Sequence, residues 1–214
     1  MKSNLKFISL VVLMSGMLSV KAQSVEFGIK GGLNYSIFTH TDPNLTGFGF
    51  HFGGLADLSF SRAFNLRAEL LISNRAIQSK SSYNFLGIET TLKSRTFPLY
   101  LTLPLLYRYE TNEGISFFAG PQPGLLLSNR ITSKTQIGNE DPVSTTFSGS
   151  DAKSGLSEFV LGVAAGVYYT PFDDLGLDLR YVRDFVPTSD LDGVDNFYNG
   201  IQLSIIYRFS GGQR

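Results

Sequence analysis

At every second position near its end the chain is apolar. In NFYNGIQLSIIYRF, residues 196–209, one parity holds Phe197, Ile201, Leu203, Ile205, Tyr207 and Phe209, with Asn199 the single exception. The other parity holds Tyr198, Gly200, Gln202, Ser204, Ile206 and Arg208, mostly small or polar. A period of two marks a strand with one greasy face. The same beat returns over 25–37, 48–60, 64–72, 97–109, 114–127, 159–169 and 175–185, which makes eight segments. Most exceed the roughly five to six residues of an ordinary globular strand. They match the roughly nine to eleven needed to cross a bilayer at a tilt.

The connections alternate as well. Ser61-Arg62-Ala63, Thr111-Asn112-Glu113 before Gly114, and Thr170-Pro171-Phe172-Asp173-Asp174 are short enough for hairpin turns. The stretches 38–47, 79–94, 129–155 and 187–195 are longer and rich in Ser, Thr, Asn, Asp and Gly, and read as loops. Tight turns on one rim, long loops on the other and an even strand number are the arrangement of membrane barrels. Hairpin register supports it. Pairing Phe60 with Phe64 and Glu110 with Gly114 keeps the apolar residues of both flanks on one side. The expected fold is all-β: an eight-stranded antiparallel up-and-down transmembrane β-barrel.

Which solvent the greasy face meets separates this fold from a lipocalin-like soluble barrel, and the aromatics decide. Toward the short-turn rim that face carries Phe27, Phe60, Phe64, Tyr107, Tyr109, Phe117, Tyr169, Tyr207 and Phe209. Toward the long-loop rim it carries Tyr35, Phe48, Phe97, Phe159, Phe185 and Phe197, with Leu, Ile, Val, Ala and Gly between the bands. The steps from Phe48 to Phe60, Phe97 to Tyr109 and Phe197 to Phe209 are equal. At ~3.3 Å per residue and a tilt of ~40° each covers about 30 Å of height, the apolar band with its girdles. The opposite face then lines the lumen with Glu26, Lys30, Asp57, Arg67, Glu69, Arg75, Arg108, Glu110, Glu158, Asp178, Arg180, Asp184 and Arg208. Eight strands enclose only enough room for side chains. Charges confined there must pair, so a salt-bridged plug is expected, with a gated ion path as the alternative.

Composition adds bounds. The chain opens MKSNLKFISLVVLMSGMLSVKAQ: Lys2 and Lys6, an apolar run from Phe7 to Val20, then Val20-Lys21-Ala22. That is a secretory signal over 1–22, cut between Ala22 and Gln23, ahead of a barrel domain over 23–214. The chain has no cysteine, so no disulfide supports the fold. Net charge is zero with 17% charged residues, and no basic excess points to nucleic acid. Only His40 and His51 are available for His-based catalysis, and no His/Cys metal constellation or cofactor motif appears. The glycines of GIKGGLNYS lack the Lys-Ser/Thr and the helix of a nucleotide loop. Pro98, Pro104, Pro121 and Pro123 each remove a ladder donor, and a bulge bending strands four and five near Pro104 is expected.

The stretch YLTLPLLYRYETNEGISFFAGPQPGLLLSNR, with EFGIKGGLNYS and the terminal GIQLSIIYRF, resembles the bacteroidete outer-membrane β-barrel proteins labelled porin-like or PorT-like. The resemblance implies a bacterial outer-membrane location and insertion by the barrel assembly machinery, with the last strand, ending at Phe209, as its signal. It implies no single activity. The expected role is a non-enzymatic structural or surface-interaction barrel in outer-membrane lipid, with 129–155 (Lys134, Asn139, Glu140, Asp141) reaching an extracellular partner. The alternatives are a transport or secretion-accessory barrel with a narrow or gated pore, and a hydrolase or acyltransferase using His40 or His51.

Overall fold

The computed structural model describes residues 24–39, 45–61, 64–85, 88–111, 114–137, 141–148, 155–191 and 194–209. The expected signal segment, its Ala22/Gln23 cut and His40 lie outside the described residues.

Fourteen strands follow in chain order: β1 (Ser24–Thr39), β2 (Leu45–Ser59), β3 (Phe64–Asn74), β4 (Ile77–Phe85), β5 (Ile88–Thr96), β6 (Leu99–Thr102), β7 (Leu105–Glu110), β8 (Ile115–Ser128), β9 (Arg130–Ile137), β10 (Val143–Ser148), β11 (Phe159–Phe172), β12 (Leu175–Asp184), β13 (Ser189–Leu191) and β14 (Val194–Phe209). The wall runs β1, β2, β3, β6 with β7, β8, β11, β12, β14, all antiparallel. β14 returns to β1 from Phe27↔Phe209 to Thr39↔Phe197, which closes an eight-stranded barrel with no free edge.

The faces are arranged as the aromatic bands require. Leu203 is 57% exposed and Ile205 58%, whereas the inward Arg67 and Arg180 are each 1% exposed. A soluble barrel would reverse this. Of the outward aromatics, Phe27, Phe48, Phe64, Tyr107, Tyr109, Phe117, Phe159, Tyr169, Phe185, Tyr207 and Phe209 are exposed, while Tyr35, Phe60, Phe97 and Phe197 are half-buried. Neighbouring rings touch across strands, as in Phe64 with Tyr107 at 5.6 Å.

The turn read at 170–174 is shorter than expected, since β11 runs on to Phe172 and leaves only Asp173-Asp174 before β12. Three further features differ from the sequence reading. First, 79–94, 129–155 and 187–195 are not simply loops; in the last, β13 pairs with the start of β14, Ser189 opposite Asn196. β4 and β5 form a hairpin, β5 pairs with β9 and β9 with β10, so a four-stranded sheet extends the wall past its long-loop rim. The Ser/Thr content that suggested loops also suits strands, because β-branched Thr favours extended backbone and hydroxyls bond across strands. Ser82 and Thr91 do so at 3.1 Å. Second, Phe60 does face Phe64, its N–H reaching the Phe64 carbonyl at 3.3 Å, but Glu110 pairs with Ser116 and not Gly114. Gly114 instead sits in the turn at φ +73°, a conformation that favours glycine. Third, no register shift marks Pro104: the strand pauses at Leu103-Pro104 between β6 and β7, and across that pause both pieces keep one register against β3 and β8. β8 passes unbroken through Pro121 and Pro123, and the Pro98 and Pro104 carbonyls accept the Arg75 and Glu69 N–H groups at 3.0 and 2.9 Å. The register slips higher up: Leu99 pairs with Ser128 but Tyr100 with Leu126, so Leu127 is the extra residue. β3 pairs with both β6 and β7, so the wall stays one sheet.

Candidate functional site

The inward parity builds three stacked, charge-balanced clusters. Nearest the short turns, Asp57 and Arg67 are direct cross-strand partners, and Arg67 Nε and Nη2 donate to the two Asp57 oxygens at 2.7 and 2.8 Å. Arg108 adds a contact to Asp57 at 3.4 Å and one to Glu110 at 3.3 Å. The Tyr168 ring lies 4.5 Å from the Arg67 guanidinium and 5.4 Å from that of Arg108. At mid-height, Arg180 donates to both Glu69 oxygens (2.9 and 2.8 Å) and both Asp178 oxygens (2.9 and 2.6 Å). Lys30 Nζ completes the group, 3.4 Å from Glu69 and 3.1 Å from Asp178. Two cations face two anions in each of these clusters. Toward the long-loop rim, Arg75 pairs with Asp184, which also accepts from Thr188 Oγ1 at 3.2 Å. Arg75 is held between the rings of Tyr198 (4.2 Å) and Tyr100 (4.7 Å).

Two expected members sit apart. Glu158 is exposed just before β11, and its carbonyl accepts the Leu126 N–H at 2.8 Å. It has climbed beyond the enclosed lumen, so parity alone does not bury it. Glu26 is exposed at the opposite rim and meets Arg208 at 3.7 Å.

Parity, read for its greasy face alone, misses the inward rings. Phe38, Tyr100, Phe118, Tyr168 and Tyr198 are all buried. Several lie over a glycine of a nearby strand position: a Cβ on Gly176 would stand 2.1 Å from Tyr168 Oη, and one on Gly200 2.1 Å from Tyr198 Oη. Each glycine makes the space that its tyrosine fills. A tyrosine among inward small residues was the available signal.

His51 lies in the upper lumen in a cage of its own. Its Nδ1 is 2.6 Å from Asn34 Oδ1 and its Nε2 2.8 Å from Ser204 Oγ. Asn34 Nδ2 faces three acceptors, the Phe50 and Asn74 carbonyls and Ser73 Oγ, so its Oδ1 is the atom turned to the ring. Nδ1 therefore carries the hydrogen and the neutral Nε2 accepts from Ser204. The mouth above holds a cavity of about 310 Å³, whose lining includes the apolar Phe38, Leu45, Ile77 and Leu156 and the hydroxyl-bearing Ser94 and Thr96. Among the described residues no group of three or more His, Cys, Asp or Glu could hold a metal ion.

A closed barrel, greasy outside and ionic within, calls for lipid around it. The family described as outer membrane protein beta-barrel domain matches residues 21–189. The chain belongs to that family. This outer-membrane barrel is also similar to solved structures. Against Ail of Yersinia pestis, in complex with the heparin analogue sucrose octasulfate, identity is 17% and the TM-score 0.44, covering 87% of this chain and 100% of that one. Against Neisserial surface protein A the values are 14% and 0.49, with 87% and 100% covered. Against a major outer membrane protein of Thermus thermophilus they are 15% and 0.45, again with 87% and 100%. No curated protein matches the chain. The family match ends within β13, and β14 beyond it supplies the strand that closes the barrel on β1.

Proposed function

We propose that this outer-membrane barrel is a closed, side-chain-filled scaffold whose work is done at its surface, neither conducting nor catalytic. Its short turns face the periplasm and its extended sheet faces outward, as in membrane barrels generally. The observation that carries this reading is the clamp on Arg180. One guanidinium holds two carboxylates from different sides of the lumen, with Lys30 filling the remaining side. An ion crossing this level would have to part charges that burial makes costly to leave alone. The strands β9 and β10 within 129–155 are then the surface offered to an extracellular partner. Insertion by the barrel assembly machinery, and kinship with the PorT-like barrels, belong to the same reading.

Planar-bilayer recording tests it. The refolded chain is expected to give no steady conductance. Steady channels would replace the closed scaffold with the transport or secretion-accessory barrel.

One arrangement favours a second reading. Asn34, His51 and Ser204 form an orienter–base–hydroxyl chain of the kind that activates a serine nucleophile. Each is at most 1% exposed, and the mouth cavity is not lined by any of them. Chemistry needs a reacting carbonyl about 3 Å from the hydroxyl, and burial of all three side chains in the lumen leaves a substrate no approach from solvent. A fluorophosphonate probe is therefore expected to leave Ser204 unlabelled in the folded barrel. Labelling that disappears in Ser204→Ala and in His51→Gln would revive the hydrolase.

A further inference from the structure

The sheet beyond the rim has two unlike faces. Ile77, Ser79, Ser94, Thr96 and Ile131 turn toward the mouth cavity. The alternate positions turn outward, on the face that continues the lipid-exposed wall. There Lys80 stands directly opposite Lys93, and Lys93 directly opposite Lys134, so three ammonium groups form one row across β4, β5 and β9. Arg95, opposite Gln78 and Thr132, lies one row nearer the membrane, and Arg130 beside it gives its carbonyl to the Phe97 N–H at 2.8 Å. All five are exposed, and among the described residues none is in an ion pair with a carboxylate. Glu89, the acid on this face, pairs with Asn84 four residues along β5 from Lys93.

Like charges directly opposite on neighbouring strands destabilise a sheet. Two such pairs in one row are a cost that an anion in front of them removes. Position says which anion. Phe97 ends the outward aromatic band on its strand. Arg95 is two residues past it and Lys93 four, about 5 and 10 Å higher at ~3.3 Å per residue and a ~40° tilt. That is headgroup depth for a lipid whose tails lie on Phe97 and the wall below.

We propose that Lys80, Lys93, Arg95, Arg130 and Lys134 bind the phosphate groups of outer-leaflet glycolipid, seating the extended sheet on the membrane's own surface. Cations clustered just beyond an apolar span hold anionic headgroups electrostatically, and neighbouring strands only about 4.8 Å apart let adjacent lysines of the row share one phosphate. The assignment rests on the outward orientation given above.

The test uses the full folded chain in phosphatidylcholine nanodiscs with lipid A carrying both phosphates. The native chain retains lipid A through washing. A variant with Gln at all five positions is expected to retain it about tenfold less, with a weaker response to salt. Heat-dependent gel mobility shows whether that variant has folded. The milder Lys93→Gln serves beside it: removing the middle charge should raise the stability of the barrel in pure phosphatidylcholine but lower it when lipid A is present. Equal retention by native and variant chains, or undiminished retention of lipid A stripped of phosphate, overturns the proposal. So does preference for a soluble sulfated polysaccharide over lipid A. Orientation is read separately. The chain has no cysteine of its own, so Thr145→Cys on β10 can be labelled in whole cells by a membrane-impermeant maleimide. An unlabelled cysteine overturns the orientation and the glycolipid site together. Labelling without lipid A discrimination overturns the site alone.

Discussion

Arg180→Met is expected to destabilise the barrel by about 3–5 kcal/mol, the cost of leaving buried carboxylates uncompensated. The native guanidinium donates four bonds, two to Glu69 and two to Asp178, and all three side chains are shielded from solvent. After the change only Lys30 faces the two anions, and the mid-height cluster goes from neutral to one excess negative charge. Phe118, 5.0 Å from the guanidinium, loses its cation as well. The measurement is a urea titration of the barrel folded into phospholipid vesicles, followed by its heat-dependent gel mobility. Adding Glu69→Gln should recover a substantial part of the loss, because Lys30 and Asp178 then balance again at 3.1 Å. If Arg180→Met alone moves the stability by less than about 0.5 kcal/mol, within the range of an ordinary surface change, the cluster is not the closed electrostatic unit described above.

Leu203→Arg tests the outer face in the same assay. Leu203 pairs with Leu33 on one side and Leu179 on the other, and all three are exposed. It lies midway between Phe197 and Phe209, where an arginine meets the centre of the hydrocarbon and costs roughly 2–4 kcal/mol. Val25→Arg, near the short-turn end of β1 and also exposed, should cost only about 0–1 kcal/mol, because there the charge reaches the interface. Equal effects at the two positions would mean that the greasy face does not meet a membrane interior.

These two substitutions address the two faces that strand parity separates. Alternation alone made Leu203 and Arg180 opposite in kind, since a period of two admits only two faces and the spaced aromatics say which one meets lipid. The cross-strand pair of Asp57 and Arg67 was equally within reach, because the turn after Phe60 fixes their register. The grip of Arg180 on Glu69 was not. It crosses the lumen between non-neighbouring strands, and nothing local to either residue selects the other. Tyr168 and Tyr198 were hidden for a related reason. A tyrosine can face lipid at a girdle or fill the space above a glycine inside, and the choice depends on which glycine the fold brings beneath it.

The extended sheet marks the boundary between the two kinds of information. Alternation, turn lengths and aromatic spacing by themselves determined an eight-stranded, inside-out barrel, because hydrocarbon tolerates neither an open edge nor an unpaired charge. Only the tertiary structure decided where Arg130 and Lys134 point. In β8 the even positions, such as Leu126, face inward, and unbroken parity would have carried both cations into the mouth. The extra residue at Leu127 reverses the count, so that Asn129 and Ile131 turn in while Arg130 and Lys134 turn out beside Arg95 and Lys93. A bulge is a property of two strands in register, and one strand's sequence does not announce it.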